Sequence, residues 1–215
     1  MGIKWKDLLW KGALEDFFPG FLQMVVIEAD KIFDFDRKIE FLDKELAEIN
    51  HYNLAAEAKR IDLLAHVYLK SGNRLRVHVE VEDNPKKEFT LRVFKYFYRL
   101  FDKHDTPVIS IVVFLRKPNK NSRSFYKYSF CGNKVFFEFN ACYVSELDEK
   151  ELTGSGNPFS KILLIAKLAL IKSEPVEVIL SKKITIARQI LNLLIPLDEK
   201  LRLLDFLKNY IRFDK

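Results

Sequence analysis

Only two cysteines, Cys131 and Cys142, occur among the 215 residues of this chain, which rules out a disulfide-stapled scaffold. Both lie in aromatic, strand-like sequence, where two buried free thiols are expected. Two cysteines and four scattered histidines cannot build a four-ligand zinc pattern. Glycine and proline number seven each, sparse punctuation that points to long elements and few floppy linkers. Long apolar runs are also missing. The longest, Ile162 to Ile171, is broken by Lys167 and falls well short of the roughly 18 residues that a membrane span needs. The start carries Glu15 and Asp16 and no signal-like apolar stretch. No Gly-x-Ser-x-Gly, P-loop or Rossmann glycine pattern occurs, and Thr153-Gly-Ser-Gly156 follows no clear strand and lacks the required lysine. A reduced, cytoplasmic protein with no membrane partner is the expectation.

What the chain does have is core material. It is 48% hydrophobic with 19 Phe, well outside the disordered class. The net charge of +6 is unremarkable until it is located. Residues 1–50 hold 7 basic and 11 acidic side chains, a net of −4, while residues 51–215 hold 29 and 19, a net of +10. A surface that meets a polyanion belongs to the later part.

Apolar spacing predicts a helix over residues 4–18, closed by Pro19-Gly20, then a further helical stretch to residue 30. Residues 39–46 read as extended. From Ile61 the period changes to two. Ile61 to Leu69 and Leu75 to Glu82 alternate around the turn signal Ser71-Gly72-Asn73, which predicts a β-hairpin. Residues 85–104 follow as a helix with the apolar face Val93, Phe94, Phe97, Leu100 and Phe101. Val108 to Leu115 has the β-branched content of a central strand. Further strands are expected over 126–130 and 134–144, then a helix from Asn157-Pro158 to Lys172, and one or two helices over 181–212 broken near Pro196. The fold class is therefore α/β (α+β), with a sheet flanked by helices. Its sheet-bearing core spans residues 1–150 and a helical extension spans 151–215, with one continuous domain as the alternative.

The hairpin carries the candidate chemistry. Side chains alternate faces along a strand, so Glu80 and Glu82 point the same way. A turn centred on Gly72 puts Asp62 opposite Glu82 and diagonal to Glu80, three carboxylates on one face. Like charges facing each other on a sheet are destabilising and need open solvent or a cation. Mg²⁺ favours oxygen sites with few carboxylates that leave waters for a phosphate, where it lowers the pKa of a bound water. The solvated face of an ordinary strand is the competing reading. Asp62, alone among apolar neighbours in Arg60-Ile-Asp-Leu-Leu64, weighs against it. His66 and His78 share this face and are candidates to line the site.

Downstream, Arg92, Lys95, Arg99 and Lys103 recur at helical spacing beside the apolar face. Such a stripe suits a phosphate backbone, and it equally describes a solvated helix face. Arg116, Lys117, Lys120 and Arg123, with Lys127 just beyond them, read as a charged loop, with a basic rim to the site as the alternative. Glu15 on the first helix is the one further acid in view.

Taken together, Leu14-Glu-Asp-Phe-Phe-Pro-Gly-Phe-Leu22, Phe41-Leu-Asp-Lys-Glu-Leu46, Arg60-Ile-Asp-Leu-Leu64, Val77-His-Val-Glu-Val-Glu82 and Arg92 to Tyr96 resemble the Rpn family. These are recombination-promoting nucleases, also called putative transposases, within the PD-(D/E)XK nuclease superfamily. The resemblance covers roughly residues 5–145. It implies a restriction-endonuclease-like fold, with a mixed central sheet flanked by helices, and a Mg²⁺- or Mn²⁺-dependent DNA endonuclease. Asp62 and Glu80 match the family's metal-binding acids, with the Val81 carbonyl as an extra ligand. Glu82 stands where the superfamily usually has Lys and Rpn-like members often have Gln, and would position the attacking water. Arg92, Lys95 and Arg99 would contact DNA phosphates. The alternative is a catalytically inactive member that binds nucleic acid or acts through protein contacts, with Leu201, Leu203, Leu204, Phe206 and Leu207 as a candidate homodimer face.

Overall fold

The structure is a computed structural model that describes residues 2–45, 61–171 and 173–212; for residues 2–4, Ile61 and Asp62 it describes the backbone alone. The chain divides into two compact units. The first, residues 1–24, 115–117 and 143–215, is helical, so the N-terminal segment groups with the C-terminal helices. The second, residues 25–114 and 118–142, holds the sheets. Among the described residues, no helix is long and apolar enough to cross a membrane.

In the helical unit, α1 (Gly2–Asp16) is followed by α2 (Phe18–Val25). Pro19-Gly20 does not close a helix; it lies in the first turn of α2, where proline's missing N–H costs nothing. Gly20 is there for space. A Cβ would sit 2.6 Å from Asn157 Oδ1, and the Asn157 amide donates to the Gly20 carbonyl at 2.9 Å. The core gathers around Trp10, whose indole N–H donates to the Tyr210 hydroxyl at 3.1 Å and whose ring packs against Phe159, Phe206 and Tyr210.

A 3-10 turn (Val144–Glu146) leads to α5 (Glu149–Gly154), capped by Asp148. Next come α6 (Pro158–Leu168), α7 (Val176–Leu191) and α8 (Leu197–Tyr210), with the expected break at Pro196. Of the candidate dimer-face residues, Leu203, Phe206 and Leu207 are buried in this unit and Leu201 is exposed, so the stretch mainly completes a core. Lys167, which interrupts the longest apolar run, donates to the carbonyls of Ser145 and Leu147. Lys161 is 1% exposed and caps the end of α5 by donating to the Leu152, Thr153 and Ser155 carbonyls at 2.8, 2.8 and 3.0 Å.

The second unit has a short α3 (Ala29–Ile32) and strands β1 (Glu40–Phe41), β2 (Ile61–Tyr68), β3 (Arg74–Glu82), β4 (Val108–Phe114), β5 (Phe125–Phe130), β6 (Asn133–Glu138) and β7 (Asn140–Tyr143). One mixed sheet has the order β1-β2-β3-β4-β7, while β5 and β6 form a separate hairpin. The expected strand over 134–144 is thus two strands in two sheets. The break falls at buried Phe139, whose N–H donates to the Ser124 carbonyl.

The β2–β3 hairpin turns through Lys70-Ser71-Gly72. Leu69 N–H donates to the Asn73 carbonyl, Gly72 N–H donates to the Leu69 carbonyl, and Gly72 supplies a φ of 88°. The centre is therefore Ser71 and not Gly72, and Asp62 pairs with Glu80 instead of Glu82. The shift is by an even number of residues, so the faces are as expected. Cys131 (φ 45°) and Gly132 (φ 84°) make a tight two-residue turn in β5–β6. Both cysteines are free, but Cys131 is exposed at this tip while Cys142 is buried.

Helix α4 (Phe89–His104) crosses between β3 and its parallel neighbour β4. It starts at Phe89, later than the sequence pattern suggests. Phe89, Arg92, Val93, Tyr96 and Leu100 are its buried residues, and Tyr96 and Leu100 pack with Leu64 of β2. Phe94 and Phe97, read as part of the same apolar face, instead stack on Tyr126 and Phe137 of the hairpin, and Phe101 is largely exposed. The helix is covered on two sides by different elements, which explains aromatic residues spread around its circumference.

Replacing Lys161 with Met keeps the side-chain volume but leaves three carbonyls without their donor. Chemical denaturation is expected to show a loss of about 1–3 kcal/mol; a loss below about 0.5 kcal/mol would contradict the capping role.

Candidate functional site

Strand β3 is central in its sheet, so both its edges are paired, and all but Arg74 of its residues are buried, so both its faces are covered. One face is aliphatic, with Leu75, Val77, Val79 and Val81. The other carries Arg76, His78, Glu80 and Glu82, all buried. Burying charge is costly unless it is paired, and helix α4 brings the partner. Arg92 Nη2 donates to Glu80 Oε2 at 2.5 Å and reaches Glu82 Oε2 at 3.4 Å. Glu82 Oε1 also accepts from the Asn84 backbone N–H at 3.0 Å, which fixes the carboxylate's orientation. A single guanidinium thus ties two like-charged side chains of one strand to the helix above them.

Arg92 therefore does not join an outward basic stripe. Its position beside two buried carboxylates draws it into the protein, while Lys95 and Lys103 are exposed and Arg99 is half-buried. The phosphate-contact role read for Arg92 does not suit a residue only 8% exposed. For Lys95 it remains accessible.

Asp62 sits directly opposite Glu80 in the backbone register, and its carboxyl group lies outside the described residues. Val81 is paired with Ile61 on one side and Val113 on the other, its side chain on the aliphatic face. Glu15 pairs with Lys11 along α1 at 3.7 Å.

Further along the same face, His78 is fully buried, its ring 4.8 Å from that of Tyr96. Ser110 of β4 is its register partner. Neither imidazole nitrogen has a hydrogen-bond partner among the described residues. Burial pushes its pKa from the ordinary 6.5 down to about 4. His66, the other histidine read onto this face, does lie on it, opposite Arg76 and beside the edge strand, where it sits 3.8 Å from Glu40.

Beyond His78 is a cluster that sequence reading misses. Arg76 donates to Thr106 Oγ1 at 2.7 Å and lies 3.3 Å from Glu45, which also meets His104. The available signal was parity, since Arg76 alternates in step with Glu80 and Glu82.

In donor chemistry, Glu80 and Glu82 suit a hard divalent cation, and the register brings the Asp62 backbone alongside. Among the described residues, however, no group of three or more His, Cys, Asp or Glu side chains is placed to hold a metal ion. The described carboxylates have a guanidinium on them. No family model, curated protein or solved structure matches the chain.

Two outcomes are expected. Replacing Arg92 with Leu removes one partner of a buried pair and should cost about 3–5 kcal/mol at neutral pH, with the deficit shrinking in acid as the carboxylates take up protons. Urea titrations at several pH values check both parts. For His78, the folded pKa lies below the unfolded one, so the unfolded chain binds the extra proton. Its contribution to stability is complete above about pH 6.5 and is lost as pH falls towards about 4. His78→Phe should flatten that part of the stability profile; an unchanged slope would remove His78 as its source.

Proposed function

We propose that this chain is an Rpn-like protein of restriction-endonuclease-like fold, acting in the cytoplasm as a metal-dependent DNA endonuclease at the acidic face of β2 and β3. The observation that carries the reading is the register. Asp62 and Glu80 are direct partners, and Glu82 lies two residues on along the same buried face. Carboxylates gathered there without function would be a cost to the fold. The mixed sheet, with an acid-bearing hairpin followed by a helix and a parallel strand, supports the same reading.

Asp62, Glu80 and the Val81 carbonyl would hold Mg²⁺ or Mn²⁺. The bound ion would lower the pKa of a coordinated water and neutralise charge on the phosphodiester. Glu82, its carboxylate oriented by the Asn84 N–H, would position the attacking water and take its proton. Arg92 acts as a positioning residue that holds Glu80 and Glu82 in place and offsets their charge. Lys95 and Arg99 meet the phosphate backbone.

The Arg92 contact also favours a second reading. A guanidinium already on both carboxylates can be the permanent counter-ion of an inactive nuclease fold that binds nucleic acid. Nicking of supercoiled plasmid with Mg²⁺ or Mn²⁺, compared between wild type, Asp62→Asn, Glu80→Gln and Glu82→Gln, separates the two. The enzyme reading expects a loss of about 100-fold or more in the variants. Equal nicking by all four proteins assigns the activity elsewhere. No nicking, with no calorimetric response to either metal, leaves the inactive fold.

A further inference from the structure

The β5–β6 hairpin has two dissimilar faces. Strand pairing puts Tyr126 opposite Phe137 and Lys127 opposite Phe136. The first pair faces α4, with Phe94 lying 5.1 Å from the Tyr126 ring and 5.6 Å from the Phe137 ring. The opposite face therefore points away from the helix and carries Phe125, Lys127 and Ser129 from β5, and Lys134, Phe136 and Glu138 from β6.

On that outward face Phe125 and Phe136 pack ring to ring at 5.7 Å, yet Phe136 remains 65% exposed. Lys127 stands beside it across the strands, Lys134 lies two residues along, and the Arg123 guanidinium sits 5.9 Å above the Phe125 ring. All three cations are exposed, and Glu138 is the only acid on the two strands. Phe125 and Phe136 thus make a paired aromatic patch within a basic field, not a single scattered apolar side chain of the kind any surface carries.

We propose that the outward face of the β5–β6 hairpin is a docking platform for single-stranded nucleic acid. Lys127, Lys134 and Arg123 track the phosphates, while Phe136, backed by Phe125, stacks on an unpaired base. Cationic groups select a polyanion over a protein surface of mixed charge. The exposed ring selects a single strand over a duplex, because bases stacked inside a duplex have no free face to offer. Phe94 and Phe97 of α4 hold the hairpin from behind, so a two-stranded element that would be marginal by itself has a fixed support. This surface is separate from the acidic face, and its binding does not depend on that face being catalytic.

The test is fluorescence anisotropy with labelled 12-nucleotide oligo-dT and oligo-rU strands and a 12-base-pair duplex, in EDTA with reducing agent to protect Cys131. Binding of either single strand supports the proposal if Phe136→Ala weakens it about tenfold and Phe136→Tyr restores it. Wild-type affinity should fall with salt at a log–log slope of roughly −2 for three phosphates, and Lys127→Ala should reduce that slope by about 0.7. These residues are exposed, so circular dichroism should show folded variants. The proposal is overturned if the folded wild type binds neither single strand at low salt, if Phe136→Ala binds like wild type, or if duplex is preferred. It is also overturned if gel filtration shows that the wild type self-associates through this face and Phe136→Ala abolishes the association.

Discussion

A guanidinium buried between two carboxylates of one strand organises the sheet-bearing unit. Glu80 and Glu82 lie on the covered face of the central strand, where two negative charges cannot remain uncompensated. Arg92 reaches them only if α4 lies across β3 at one height and one rotation. With that contact made, Tyr96 falls over His78, and Leu100 meets Leu64 one turn further along. The opposite side of α4 then presents Phe94 and Phe97 to the separate hairpin. One polar contact thus specifies the seating of a helix that apolar packing alone would allow to slide, since aliphatic surfaces tolerate many registers and a bridged pair of carboxylates tolerates few.

The same contact sets the chemical character of the face. Along β3 the polar side chains run from Arg76, through neutral His78, to Glu80 and Glu82. The cation of the first is matched by Glu45, and the anions of the last two by Arg92. His78, in the middle, holds no charge at neutral pH because burial disfavours it. Two charged clusters of opposite polarity are therefore separated by an uncharged spacer, which keeps each pair matched to its own partner.

Much of this was legible in the sequence. The period-two alternation of β2 and β3, the carboxylates on one face, the central strand at 108–114 and the break at Pro196 all follow from residue pattern. The rest depended on tertiary context. Gly72 looked like the centre of the hairpin turn, but a three-residue loop uses its positive φ at the last position and moves the centre to Ser71. Pro19-Gly20 looked like a helix stop, and Gly20 instead answers to Asn157, a residue 137 positions away. Arg92 read as one of four equivalent cations, because spacing alone cannot distinguish the side of a helix that meets solvent from the side that meets carboxylates. Phe139 divided an apparent single strand because strand propensity does not reveal which sheet a segment joins.

The closure of the helical unit has a consequence for how the molecule is made. Gly20 is fastened to Asn157, and Trp10 to Tyr210 across 200 positions of sequence. By contrast, nearly all of the sheet-bearing unit lies between residues 25 and 142. On the ribosome, the sheet and its helix can reach their native pairing while the first helices still wait for partners not yet synthesised. The N-terminal helices spend that interval with an aromatic face unburied. Loop closure over such a separation is slow, so the helical unit, although its first helices emerge before the sheet, is finished after it.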